Sequence, residues 1–221
     1  MRFKKQVLAL WAFFVVSLGL SMPASAHPHV WLDMKVGVIM TADGKLEALR
    51  IHWTFDEFYS AFAMDGIKKD ADGRYPQKVL DDLAQVNMTN LKEVDYFTEI
   101  SANGKKLALG TPFDAESSWD YKKSQLDLTF TLPLETPQAA PVQFRIYDPT
   151  YYISIEYPQK GRGTEFLTGN RKGCRISVET PDVQTTWLNL PESAFTGDSA
   201  TVGQGFGAHF ASTATITCEQ S

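Results

Sequence analysis

The chain has 221 residues, 43% hydrophobic and 12% aromatic, which excludes an intrinsically disordered protein and allows a substantial core. Formal net charge is −5. Setting aside Arg2, Lys4 and Lys5 from the 21 basic residues leaves 18 against 26 acidic ones, a net charge of −8. So acidic a balance argues against nucleic-acid binding and against electrostatic adhesion to a membrane.

Met1 to Lys5 carry those three positive charges, and Val7 to Leu20 is apolar apart from Ser17 and Gly19. Ala24-Ser25-Ala26 then supplies small residues at the −3 and −1 positions of a cleavage site. The pattern predicts a secretory signal over residues 1–26 and one secreted domain over residues 27–221. No later segment approaches the ~18 apolar residues of a membrane span, so any transport role needs a separate membrane partner.

Val30 to Met40 places Val30, Leu32, Met34, Val36, Val38 and Met40 on one face, which predicts a half-buried strand. Asp43-Gly44 signals a tight hairpin, with Leu46 to Trp53 as the return strand. A two-residue loop there pairs Ala42 with Lys45, setting Trp31 opposite Asp56 and His52 opposite Lys35. Thr54-Phe-Asp-Glu57 has the form of a capping box, with Thr54 as N-cap and Glu57 at N3. A short helix follows to about Met64, and its aromatic stripe of Phe55, Phe58, Tyr59 and Phe62 is expected in the core. Pro76 opens a longer helix with Val79, Leu80, Leu83, Val86, Asn90, Leu91 and Val94 on one side.

Beyond this point strands dominate. Tyr96–Ser101 and Lys105–Leu109 flank an Asn103-Gly104 turn, and Gln125–Leu132 and Val142–Tyr147 alternate cleanly. Tyr151–Tyr157 is a further strand candidate. The fold class is therefore α+β, mainly antiparallel sheet with two helices inserted in the N-terminal half. Cys174 and Cys218, the only cysteines, each lie in an alternating segment. In an oxidising compartment they predict one disulfide joining the last strand to an earlier one. Its chain-entropy contribution is roughly 4 kcal/mol. Thiolate metal ligation is the weaker alternative, since neither cysteine has a near neighbour.

If the signal ends at Ala26, the mature chain starts His27-Pro28-His29-Val30-Trp31. Histidines at i and i+2 of an extended segment face the same way, with Cα atoms about 6.6 Å apart, so one metal can reach both imidazoles. The α-amine of His27, with a pKa near about 7.7–8.0, adds a third nitrogen once deprotonated. Pro28 has no N–H, which blocks a square-planar copper or nickel site built on a deprotonated second amide. An amine-plus-imidazole clamp by His27 with His29 beside it survives.

Asp56 is the carboxylate candidate for the same site, and a helix N-terminal role explains it equally well. His52 shares the histidine face but lies roughly 20 Å from His29 along the strand, too far for a shared metal. Asp148 and His209 are further candidates, with an Asx-type turn as the competing explanation for Asp148. Lys68 to Tyr75 has the rhythm of a calcium loop. With Asp70 and Asp72 at the third and fifth places, however, Lys68 and Val79 fill the outer ones, which predicts a solvated turn. The glycine-rich Gly203–His209 segment precedes a strand, so it is not a phosphate cradle. No nucleophile–base arrangement emerges, and a non-enzymatic role is expected.

His27-Pro-His-Val-Trp31, Trp53-Thr-Phe-Asp-Glu-Phe-Tyr-Ser60, Tyr96-Phe97, Tyr147-Asp-Pro-Thr-Tyr-Tyr152 and the late cysteine pair resemble the DUF1007 family across essentially the whole mature chain. The resemblance implies a periplasmic component of a zinc or nickel uptake system, beside a nickel/cobalt-transporter-like permease of the inner membrane. Family members often carry an EF-hand-like stretch between the early helices; here its outer ligands are missing.

The expectation is thus a periplasmic metal-binding accessory protein with zinc (or nickel or copper) at His27, His29 and Asp56. One alternative is a copper redox enzyme of the histidine-brace type. The other is a β-rich docking module that binds no metal.

Overall fold

The computed structural model describes residues 28–161, 163–190 and 205–219. The expected signal segment and His27 lie outside them. Strand β1 (Val30–Met40) and strand β2 (Leu46–Phe55) form the expected hairpin, with Val30, Leu32, Met34, Val36 and Val38 buried and Trp31, Asp33 and Lys35 outside. The expected register holds over most of its length, with His52 opposite Lys35 and Phe55 opposite Leu32.

It holds for a reason the sequence reading did not contain. The loop is one residue longer than expected, since the Thr41 amide donates to the Lys45 carbonyl at 2.8 Å. A bulge between Ile39 and Met40 then compensates, because Met40 pairs with Leu46 while Ile39 pairs with Ala48. Gly44, at φ 82°, supplies the left-handed residue that this longer loop needs.

The first sheet runs β5 (Phe113–Asp120), β6 (Gln125–Gln138), β2, β1 and β8 (Ile153–Glu156), and β9 (Thr164–Thr168) also pairs with β1. The second runs β10 (Cys174–Glu179), β11 (Thr213–Cys218), β7 (Val142–Ile146), β3 (Thr98–Ala102) and β4 (Lys105–Lys106). Most pairings are antiparallel, but β8 and β9 run parallel to β1, one along its first half and one along its second. One continuous buried cluster joins the sheets: Trp53, Leu128 and Phe130 come from the first, and Ile100, Phe144 and Ile216 from the second. Trp53 and Phe130 meet edge to face at 5.3 Å. The fold class is α+β and rich in sheet, as expected.

Among the described residues three α-helices accompany the sheets: α1 (Glu57–Ala63), α2 (Gln77–Leu91) and α3 (Val183–Asn189). Asp56, not Thr54, is the N-cap of α1, and Glu57 is its first residue. Thr54 is still in β2, where its hydroxyl donates to Asp127 Oδ1 at 2.6 Å. The sheet ladder outcompetes the local capping box, because the hairpin extends two residues further than the alternation suggested.

The aromatic stripe is also split. Phe55 is buried and stacks on Tyr59 at 4.8 Å, whereas Phe58 and Phe62 are 85% and 76% exposed. Ser60 anchors α1 beside Tyr59: its hydroxyl accepts the Leu126 amide at 2.9 Å, fixing the helix to the start of β6. In α2, Leu80 and Ala84 are buried, while Val86 faces solvent. The return strand of the Asn103-Gly104 hairpin is only two residues long, and Leu109 instead bridges to Leu134 in the first sheet. Among the described residues no helix is long and apolar enough to cross a membrane.

Candidate functional site

His29 is exposed and immediately precedes β1. Its amide donates to the Tyr152 carbonyl at 2.9 Å, and its ring stacks on the Tyr152 ring at 4.7 Å. The imidazole therefore stands on an anchored strand end.

One row further along the same face, Trp31 sits between Asp56 of β2's end and Ser154 of β8. One row beyond that, Asp33 lies between Thr54 and Glu156. These residues line a small cavity of about 160 Å³ with three carboxylates, Asp33, Asp56 and Glu156, in its wall.

Asp56 has structural work there. Its Oδ1 accepts the Tyr59 amide at 2.8 Å, capping α1, and its Oδ2 accepts the Trp31 amide at 2.9 Å. Each oxygen of an ionised carboxylate keeps a second acceptor position after one such bond. Among the described residues no three His, Cys, Asp or Glu side chains converge on a metal position. His27, the other histidine of the expected site, lies outside the described residues.

Further along this face a network crosses two strands. His52 Nδ1 is 2.8 Å from Thr129 Oγ1, and Nε2 lies 3.3 Å from Thr54 Oγ1 and 3.5 Å from Asp127 Oδ1. Since Thr54 donates to Asp127, its oxygen is free to accept from Nε2–H. Nδ1 then accepts from the Thr129 hydroxyl, and one neutral tautomer satisfies every member. Burial pushes the His52 pKa down, and the positive charges of Lys35 and Arg50 act the same way, against Asp127 and Glu116. His52 is a structural residue of the sheet face, separated from His29 as the strand spacing indicated.

Asp148 is buried, and its Oδ1 accepts from the Thr150 amide and hydroxyl while Oδ2 accepts the Ile153 amide. The Asx-type turn accounts for it fully. His209 is exposed in a short 3-10 turn (Phe206–His209). In the calcium-like stretch Asp70 Oδ1 accepts the Asp72 and Arg74 amides, which closes a turn.

Cys174 and Cys218 are directly opposite in the β10–β11 ladder and form the disulfide. Glu156 and Ser154 were absent from the sequence-based candidates. The alternation of Tyr151–Tyr157 marked a strand, but only its parallel pairing with β1 brings Glu156 beside Asp33.

A Haemophilus influenzae protein, described only as an uncharacterized protein, is similar to this chain, with 26% identity over 209 residues that cover 93% of this chain and 97% of the relative. A family model described as a protein of unknown function, DUF1007, matches residues 12–218. With nearly its whole length matched, the chain belongs to the DUF1007 family.

Proposed function

We propose that the protein is a periplasmic metal-binding accessory component of a zinc or nickel import system, handing metal to an inner-membrane permease. The observation that carries this reading is His29, an exposed imidazole held at a strand end by the Tyr152 carbonyl and ring, two positions after His27. A ligand on a rigid element loses little conformational freedom when a cation arrives.

In this reading His27 supplies amine and imidazole nitrogens, His29 a second imidazole, and Asp56 a carboxylate from the adjoining row. The three carboxylates of the neighbouring cavity favour a cation electrostatically. Cys174 and Cys218 are joined to each other, which leaves nitrogen and oxygen donors for the metal.

The test is calorimetric titration of Zn²⁺, Ni²⁺ and Cu²⁺ into protein that begins at His27 and into protein with one extra residue before it. Submicromolar zinc binding that collapses in the extended protein and in His29→Ala, and weakens in Asp56→Asn, is the expected result. Equal, weak binding in all four proteins sinks the metal reading. Turnover of a reductant and peroxide by the copper-loaded protein supports a redox enzyme in its place.

One observation favours a docking module as the second reading. Phe58 and Phe62 project side by side from α1, one turn apart and almost fully exposed. An apolar pair of this kind, with no packing role, suits contact with another protein. Loss of permease binding in Phe58→Ser/Phe62→Ser protein with intact metal binding supports docking; unchanged permease binding rejects it.

A further inference from the structure

Beyond the head of β1, a larger cavity of about 350 Å³ opens between β8, the Asp148–Tyr151 turn and the segment before β11. Its volume lies within the range of small-molecule sites. Tyr147, Tyr151, Tyr157 and Phe210 supply aromatic wall, and Ser154 and Ser212, both buried, add hydroxyls.

The wall is held in an unusual way. Tyr151 sits at φ +57°, a conformation that costs energy for a bulky side chain. The Tyr151 amide is bound to the Asp148 carbonyl, and its ring stacks on Phe210 at 4.2 Å. Gly207 lies so close behind that a Cβ there would collide with the Asp148 carbonyl. Its amide donates to the Pro149 carbonyl at 3.0 Å. The amide bond and the close approach of Gly207, both at the Asp148 carbonyl, hold the turn, and the stack on Phe210 holds the ring at the cavity wall.

The charge in this cavity is one-sided. Among the described lining residues the charged groups are Asp148 and Glu156, with no Lys, Arg or His. Asp148 accepts three hydrogen bonds from its own turn. Glu156 is exposed, accepts one bond from the Ser154 hydroxyl at 2.6 Å, and lines both this cavity and the acidic one beside it. Burial pushes the Tyr157 phenol well above its usual pKa, so the aromatic wall stays neutral. An aromatic cavity lined by two carboxylates and no basic residue, with Glu156 the exposed one and only the Tyr147 ring already facing a cation, Arg145 at 4.8 Å, selects a positively charged organic ligand. Ring faces attract its onium group, and the carboxylate pairs with it.

We propose that this cavity binds a small alkylammonium compound, with its cation at Glu156 and its carbon groups on Tyr151, Tyr157 and Phe210. Quaternary ammonium compounds and primary diamines share this chemistry. The site shares Glu156 and Ser154 with the acidic cavity of the metal reading but contains none of the proposed ligands His27, His29 and Asp56, so His29→Ala tells the two apart.

The experiment is calorimetric titration of choline and putrescine, each against its neutral isostere, 3,3-dimethylbutan-1-ol and 1,4-butanediol. The expected result is saturable 1:1 binding of at least one cation, at least about tenfold tighter than its isostere. Glu156→Gln, which keeps an acceptor for Ser154, is expected to weaken that binding about tenfold with an unchanged melting temperature. His29→Ala is expected to leave it untouched. Choline binding assigns a quaternary ligand, and putrescine binding a diamine. The proposal is overturned by isosteres that bind as well as the cations, by Glu156→Gln binding like the parent, or by no saturation up to about 10 mM, the range of the weakest specific sites.

Discussion

Trp31 and Asp56 are tied to each other twice. The Asp56 amide donates to the Trp31 carbonyl at 2.9 Å, and the Trp31 amide donates to Asp56 Oδ2, also at 2.9 Å. Because Asp56 Oδ1 also caps α1, one carboxylate ends a hairpin and starts a helix. Asp56→Ala is therefore expected to cost about 1–2 kcal/mol, the value of a lost N-cap together with an amide returned to solvent. Asp56→Asn keeps one carbonyl oxygen for one of the two amides and is expected to cost less than the alanine. Urea denaturation of the three proteins measures this. Equal stability of all three would mean that the double tie contributes nothing.

His52 makes stability depend on pH in a defined direction. Its folded pKa lies below the ordinary value of 6.5, chiefly through burial, so the folded protein binds fewer protons here than the unfolded chain. The stabilisation is complete above about 6.5 and declines as pH falls from there toward the folded pKa. The melting temperature should drop between about pH 7 and pH 5, and the His52→Gln protein should show a shallower slope over that window. A parallel slope in the two proteins would assign the acid sensitivity to other groups.

Phe58 and Phe62 were expected in the core and are on the surface. In Phe58→Ser/Phe62→Ser protein the folding free energy should change by no more than about 0.5 kcal/mol per site, as for exposed positions in general. Tyr59→Ala, which removes the ring stacked on Phe55, should cost more than either. Urea midpoints compare them directly, and a large loss at Phe58 or Phe62 would place those rings in contact with the rest of the protein.

The contrast between these residues shows what was legible in the sequence. Alternation identified β1, β2, β6, β7 and β11, because one face of each is buried and period-two patterning follows burial, and also β10, where Cys174 and Ile176 are only half-buried. Phe113–Asp120 lacks that alternation, since most of its residues are exposed or half-buried, and its place as an edge strand comes from pairing with β6. β8 and β9 are short, and their parallel pairing with β1 is a tertiary fact with no local turn signal.

Helical spacing alone could not say which side of α1 faces inward. That was decided by Ser60 binding the Leu126 amide, a contact 66 residues apart. The metal candidates were visible as residue types at a spacing. Glu156 and the aromatic cavity were not, because their residues come together only across β8, the turn after β7 and the segment before β11.

The disulfide closes β10 onto β11 at the outer edge of the second sheet. Among the described strands β10 pairs only with β11, and its Arg175, Ser177, Val178 and Glu179 are exposed, so little burial holds it in place. With the cysteines 44 positions apart, the chain-entropy model assigns the cross-link about 4 kcal/mol. Cys174→Ser/Cys218→Ser protein should lose stability of that order in urea. Its β10 amides should exchange with solvent far faster than those of β2 and β6, whose strands lie inside the other sheet. Hydrogen exchange followed strand by strand separates the two effects. Faster exchange confined to β10 means that the staple holds a weak edge; uniformly faster exchange means that it stabilises the whole fold through the unfolded chain. We expect both, with β10 leading, because this edge strand has little buried surface to resist opening once the cross-link is gone.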